Sequence, residues 1–206
     1  MIGVIDTGLG NVASVMNAFI HLDHPVYLCK SSDDIKNCDR LVLPGVGSFS
    51  AGMAALTKGN WVDSILAHVQ KGLPLLGICL GMQLLFEMGH EHGSTDGLGL
   101  LAGDVNLLLP AAPAKVPHVG WNSLVSLKPH PLLRGIKSNI DFYFVHSYHC
   151  VPPDSSNVIA YCDFGGEFVA AVAKKNVAGM QFHPEKSQPA GMRILENFAQ
   201  WDGSSC

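Results

Sequence analysis

Through the first half of the chain, short β-branched and apolar runs alternate with longer segments whose apolar residues recur at helical spacing, the pattern of a parallel sheet covered by helices. Residues 2–6 read as the first strand. Asn11 is placed to cap a helix whose Val12, Val15, Met16, Phe19 and Ile20 share one face. Residues 26–29 and 40–43 read as further strands; neither alternates cleanly with polar positions, so both are expected to be buried on both faces. Residues 61–69 read as a helix. Residues 74–79 form a nearly continuous apolar strand, expected at the centre of the sheet and followed by a helix through Leu84, Leu85 and Phe86.

After about residue 98 the texture changes, and Gly, Pro and short alternating runs replace helices. Strands are expected at 116–119, 142–147, 158–162, 168–173 and 177–182, with Asp163-Phe164-Gly165-Gly166 and Lys174-Lys175-Asn176 as hairpin connections. A closing helix is expected over 189–201, with Met192, Leu195 and Phe198 inward and Pro189 near its first turn. The tail, residues 202–206, is expected to fray.

Of the 206 residues, 48% are hydrophobic and 15% charged, enough apolar material for one large domain spanning 1–206, which would bury roughly 70% of its unfolded surface. Thirteen Lys and Arg against seventeen Asp and Glu give a net charge of -4 without any like-charge run beyond pairs, which excludes an electrostatic footprint for nucleic acid or an anionic membrane. The longest apolar stretch, 73–86, is shorter than a span of about 20 residues and carries Pro74, Gly77, Gly81 and Gln83. Met1-Ile2-Gly3-Val4-Ile5-Asp6 has no basic n-region or cleavage pattern, so a reducing cytoplasm is the expected compartment. Six cysteines, at 29, 38, 79, 150, 162 and 206, form no C-x-x-C pair, which argues against structural zinc and a disulfide scaffold.

Candidate chemistry centres on Gly77-Ile78-Cys79-Leu80-Gly81, a G-x-C-x-G at a strand-to-helix junction laid out like a nucleophile elbow. A nucleophile on a sharp turn needs neighbours without side chains, and a helix N-terminus favours thiolate. His183-Pro184-Glu185 follows an apolar strand; residues two apart in extended chain project to one side, so the carboxylate can orient the imidazole. Alone, this could be a capped turn with a surface ion pair. Together with the cysteine, it supplies the three roles of covalent acyl transfer. The loop Pro44-Gly45-Val46-Gly47-Ser48-Phe49 could converge backbone N–H groups on an oxyanion or serve as a plain turn. His90 and His92 lack a third committed ligand and read as a solvated loop, so no metal is expected. Trp121 reads as a core plug or an interface residue, and His118 and His149 as core or surface histidines without nameable partners.

From Ile2 to about Phe198 the chain resembles the class I glutamine amidotransferases, and within them the glutaminase subunits of imidazole glycerol phosphate synthase. The class-wide resemblance lies in Gly77-Ile78-Cys79-Leu80-Gly81-Met82-Gln83 and His183-Pro184-Glu185. The narrower one lies in Asp6-Thr7-Gly8-Leu9-Gly10-Asn11, Pro44-Gly45-Val46-Gly47-Ser48-Phe49, Pro117-His118-Val119-Gly120-Trp121-Asn122, Phe144-Val145-His146-Ser147-Tyr148 and the Lys186 after Glu185. The resemblance implies a flavodoxin-like, three-layer α/β fold whose mostly parallel central sheet ends in antiparallel strands. It implies Cys79 as nucleophile, His183 as general base and acid, Glu185 as orienting carboxylate, and Val46 and Leu80 N–H groups as oxyanion hole. Gly47, Gln83, His146, Ser147 and Tyr148 would surround L-glutamine, and Asn11, Trp121, Tyr143 and Lys186 would face a (β/α)₈ cyclase subunit in a 1:1 heterodimer. The implied reaction is hydrolysis of glutamine to glutamate and ammonia, without a cofactor, the ammonia passing to the cyclase for histidine biosynthesis. Gly89-His90-Glu91-His92-Gly93 departs from the family pattern, where a more acidic loop is expected, and leaves that loop's conformation open. Two rivals remain: a partner-independent γ-glutamyl or peptide-cleaving cysteine hydrolase, disfavoured by Gln83 and His146-Ser147-Tyr148, and a silent regulatory subunit, disfavoured by the intact Cys79, His183 and Glu185.

Overall fold

The computed structural model describes residues 1–204, apart from the side chain of Ser126. Its N-terminal strands are Ile2–Ile5 (β1), Val26–Cys29 (β2), Arg40–Gly45 (β3) and Leu75–Cys79 (β4), interleaved with helices Val12–His21 (α1), Phe49–Lys58 (α2), Trp61–Gln70 (α3) and Leu80–Leu84 (α4). Asn11 caps α1, its Oδ1 accepting from the Ser14 N–H at 3.3 Å. Phe86–Gly89 (β5), Thr95–Asp96 (β6), Leu101–Leu107 (β7), His118–Leu127 (β8), Asp141–His146 (β9), Tyr148–Val151 (β10), Val158–Asp163 (β11), Glu167–Lys174 (β12) and Val177–Met180 (β13) follow, and helix Gln188–Gln200 (α5) closes the order.

A nine-stranded sheet runs β2-β1-β3-β4-β13-β12-β11-β8-β9. Pairings from β2 to β13 are parallel and those from β13 to β9 antiparallel, so β13 is the strand at which the sheet changes sense. Successive residues of the parallel strands point to opposite faces and feed two cores. Val4, Val42, Leu76 and Ile78 meet α1 and α5 through Phe19, Leu195 and Phe198, whereas Ile5, Leu41, Leu43 and Leu75 meet α2 and α3 through Leu56, Trp61 and Ile65.

Several expectations are corrected. β2 is an edge strand with Tyr27 exposed, because only β1 pairs with it; burial on both faces holds for β3, which has neighbours on each side. Ile20 is 56% exposed and lies off the inner face of α1. The helix after Cys79 stops at Leu84, since Phe86 instead pairs with Leu101 in a second, four-stranded sheet, β10-β7-β5-β6. That sheet was not anticipated, and neither was α2, whose Ser48 caps it by accepting from the Ala51 N–H at 3.3 Å. Of the strand expected over 116–119 only His118 and Val119 are extended, opening a strand that continues to Leu127, and the strand expected over 177–182 ends at Met180. The tail does not fray through 204: the buried Trp201 indole donates to the Ser204 carbonyl at 2.7 Å, and Arg40 Nε donates to the Trp201 carbonyl at 3.2 Å. Ser205 and Cys206 lie outside the described residues. Among those described, no helix is long and apolar enough to cross a membrane.

Phe198 is fully buried where α5 meets the sheet, 6.4 Å from the Phe19 ring and 6.4 Å from Trp201. Truncation there leaves a cavity that rigid strands cannot fill. Phe198→Ala should cost about 3–5 kcal/mol in urea unfolding, and the exposed Arg193→Ala on the same helix about 0.5 or less. Equal midpoints for the two variants would contradict this account of the core.

Candidate active site

Parallel pairing brings the reactive residues together. β4 lies between β3 and β13, with Gly45 opposite Cys79 and Met180 opposite Ile78, so the C-terminal ends of all three strands open at one edge. There the chain leaves β3 as Val46-Gly47, β4 as Cys79-Leu80 and β13 as Gln181-Phe182-His183. Crevices at such strand ends are the usual ligand sites of open α/β sheets.

Cys79 adopts φ +55° and ψ -112°, backbone strain of order 1–3 kcal/mol in a residue with a Cβ. The surroundings impose it: a Cβ on Gly81 would overlap the Leu43 carbonyl of β3, and one on Gly77 would overlap the Gly81 carbonyl. Both flanking glycines are therefore required for α4 to start directly against β3. The Cys79 thiol donates to the Val145 carbonyl at 3.8 Å and accepts from Gln181 Nε2 at 3.9 Å.

His183 is buried, and its Nδ1 donates to Glu185 Oε1 at 2.8 Å, with the Glu185 side chain only 1% exposed. Its Nε2 is buried and makes no hydrogen bond. Burial by itself would depress the imidazole, but Cys79 and Glu185 outweigh it and raise His183 to about 9. The Pro184–Lys186 turn that carries Glu185 is anchored by Ser187, whose hydroxyl donates to the His183 carbonyl and accepts from the Tyr143 N–H at 3.0 Å.

A cavity of about 250 Å³ opens beside Cys79, lined by Val46, Gly47, Leu80, Gln83, Glu91, Val145, His146, Ser147 and Tyr148. All five residues expected around the substrate lie on it, as do both expected oxyanion-hole residues; His183 and Glu185 do not line it. Glu91, Val145 and Gln181 were not singled out from sequence. Glu91 lies between His90 and His92 in the 89–93 stretch, and nothing in its local pattern marks it. Its Oε2 accepts from the Phe49 N–H at 2.8 Å, at the first turn of α2. That bond and the packing of Gly89 on the Phe49 ring tie the 89–93 loop to the start of α2. His90 contacts Asp104 at 3.2 Å and Ser94 at 3.3 Å. No cluster of metal-ligating side chains occurs among the described residues.

The four residues expected to face a partner lie near the catalytic turn. Trp121 is 47% exposed and stands edge-on to Tyr143 at 5.9 Å, and Lys186 Nζ lies 5.6 Å from the centre of the Tyr143 ring. Asn11 opens α1, which packs against the Pro184–Lys186 turn. On the opposite side of the β8–β9 ribbon, His118 is buried against His146, a partner invisible in the sequence.

The glutamine amidotransferase class-I family model matches residues 3–201. The chain is 46% identical over 201 residues to the imidazole glycerol phosphate synthase subunit HisH of Desulfitobacterium hafniense (strain Y51), covering 98% of this chain and 94% of that protein. It is 47% identical over 196 residues to the HisH of Aquifex aeolicus (strain VF5), covering 95% and 94%. Among solved structures, PurLQS from Thermotoga maritima superposes with a TM-score of 0.75 at 19% identity over 97% of each chain. A glutamine amidotransferase superposes with a TM-score of 0.72 at 20% identity over 97% of this chain and 99% of that one. These two likenesses concern the fold.

The electrostatics of His183 can be measured directly. In ¹⁵N NMR its ring should titrate near pH 9, and Glu185→Gln, which keeps a hydrogen-bond acceptor but removes the charge, should lower that midpoint by about 1–3 pH units. An unchanged midpoint would show that the carboxylate does not hold the imidazolium.

Proposed function

The chain belongs to the class I glutamine amidotransferases, as a glutaminase subunit of imidazole glycerol phosphate synthase in histidine biosynthesis, and we propose that Cys79, His183 and Glu185 perform its glutamine hydrolysis. One observation carries this reading: an imidazole held by a buried carboxylate at 2.8 Å, with its other nitrogen unengaged, at the sheet edge where a strained cysteine borders a cavity.

His183, which carries a proton at neutral pH, pairs with Cys79 as its thiolate, and the thiolate attacks the side-chain amide carbon of glutamine. The negative charge that develops on the amide oxygen is met by the backbone N–H groups of Val46 and Leu80. His183 then gives its proton to the leaving nitrogen and ammonia departs, leaving a γ-glutamyl thioester on Cys79. Water, deprotonated by His183, attacks the thioester through a second oxyanion; glutamate leaves and the thiol is restored. Glu185 keeps the imidazole oriented and stabilises its charged form throughout. Gly47, Gln83, His146, Ser147 and Tyr148 surround the substrate. The Glu91 carboxylate supplies a counter-charge for its α-ammonium group.

Ammonia in water at neutral pH is mostly ammonium and a poor nucleophile, so the product has to be handed over inside a complex. We place the cyclase on the face formed by Asn11, Trp121, Tyr143 and Lys186, in a 1:1 heterodimer, and the reaction in the cytoplasm. The whole chain acts as a single glutaminase domain. Lys186 follows Glu185 directly and lies over Tyr143, so a partner that engages it can bias the catalytic turn.

Cys79→Ala should abolish glutamine turnover while leaving fold and partner binding intact; retained turnover would overturn the nucleophile assignment. With amide-¹⁵N glutamine and excess unlabelled ammonium, the complex should deliver undiluted label to the product, and dilution to the bulk ratio would defeat internal transfer. Lys186→Ala should lose about 5-fold or more of the stimulation that the ligand-bound cyclase confers, with basal turnover less affected. A purely solvated lysine would change neither.

A further inference from the structure

In the β8–β9 register His118 stands directly opposite His146, on the side of the ribbon away from Trp121 and Tyr143. Its ring is stacked between Phe144 at 4.9 Å and Phe164 at 4.0 Å, with Phe168 edge-on at 5.6 Å. Phenyl rings thus stack on the imidazole, and the placement of its proton decides what it can bond.

Both ends of a hydrogen-bonded chain dictate that placement. At one end Asn122 Oδ1 accepts from the Ser123 N–H at 2.8 Å, so its Nδ2 donates to the Asp163 carbonyl at 2.8 Å and to His118 Nε2 at 3.4 Å. His118 Nε2 is thus an acceptor, and His118 Nδ1–H donates to His146 Nε2 at 3.0 Å. At the other end the Tyr148 carbonyl can only accept, so His146 Nδ1–H donates to it at 2.9 Å and His146 Nε2 is the acceptor. The two ends are compatible with a single arrangement of protons. Burial pushes His118 down to about 4 and His146 to about 3, so both rings are neutral at neutral pH and the arrangement persists.

The chain continues into the cavity. The Tyr148 carbonyl also accepts from Gln83 Nε2 at 2.9 Å, and the second Gln83 amide proton goes to Gln181 Oε1 at 3.1 Å. With both amide protons engaged, Oε1 is the group Gln83 has left for a ligand. Gln181 in turn reaches the Cys79 sulfur.

We infer that His118 is a positioning residue for the glutamine site: through His146 it holds the Tyr148 carbonyl, and through that carbonyl the orientation of Gln83. This rests on reading the cavity as the place where glutamine binds. It also gives His118, at the start of β8, a role that requires one nitrogen to donate and the other to accept. An aliphatic side chain would fill the space between the phenyl rings but leave His146 Nε2 buried without a donor, and that ring is then free to turn away from Tyr148.

The test uses the complex with the cyclase and compares His118→Leu with His118→Asn, whose amide can donate from the position of Nδ1. His118→Leu should raise KM for glutamine about tenfold while kcat changes less than about threefold, and His118→Asn should recover most of that loss. An unchanged KM in His118→Leu, or equal impairment in both variants, would overturn the inference. Should the leucine variant fail to fold, the wild-type chain decides through long-range ¹H–¹⁵N spectra. His118 and His146 are expected as neutral Nδ1–H tautomers, and an Nε2–H tautomer at His118 would overturn the inference. A wild-type complex that does not turn over glutamine would instead defeat the functional reading, while the tautomer measurement would still judge the proposed chain on its own.

Discussion

Everything chemical in this molecule depends on β4 being held between two parallel neighbours. Cys79 and His183 are 104 positions apart, and no local interaction could bring them together. Pairing of β4 with β13 does so, and pairing with β3 brings the Val46-Gly47 loop to the same edge. The pairing also accounts for the strain at Cys79. α4 begins so close to β3 that Gly81 rests on the Leu43 carbonyl, which leaves the intervening cysteine an uncommon backbone geometry and a presented side chain. Such strain persists only where surrounding structure over-determines it, and here it is over-determined by two ladders and two glycines.

Burial pushes the pKa of every histidine of this site downward, and the neighbours decide whether the net shift is up or down. His183 has an anionic carboxylate at 2.8 Å and the Cys79 sulfur nearby, which favour the proton strongly enough to overcome desolvation. His118 and His146 have only neutral partners, two of them a carbonyl and an amide, and desolvation keeps them uncharged. One ring is thereby suited to carry a proton through a reaction. The other two are suited to hold a fixed pattern of donors and acceptors.

Strand β9 joins these environments to the exposed face. Its inward side chains are Phe142, Phe144 and His146, and its outward ones include Tyr143 and Val145. The Tyr143 carbonyl accepts from the His183 N–H at 2.9 Å, and the Val145 carbonyl accepts from the Cys79 thiol. The backbone of this strand is thus one hydrogen bond from each of the two reactive residues.

The sequence by itself determined the α/β order, the apolar centre of the sheet and the local geometry at the nucleophile. Continuous apolar runs can be satisfied only by burial on two faces, and G-x-C-x-G and His-Pro-Glu place their side chains through short-range backbone sterics. It carried much less about the second sheet, because β5, β7 and β10 mix exposed with buried positions and acquire their pattern from one another. The exposed edge at β2 and the outward Ile20 were equally hidden, since burial of an apolar residue depends on what packs over it. Tertiary structure alone decided the partners of single polar groups: Glu91 with the Phe49 N–H, Gln181 with Cys79, and His118 with His146. A hydrogen bond is fixed by about 3 Å of separation and a direction, and between residues tens of positions apart those are properties of the register, which no local pattern encodes.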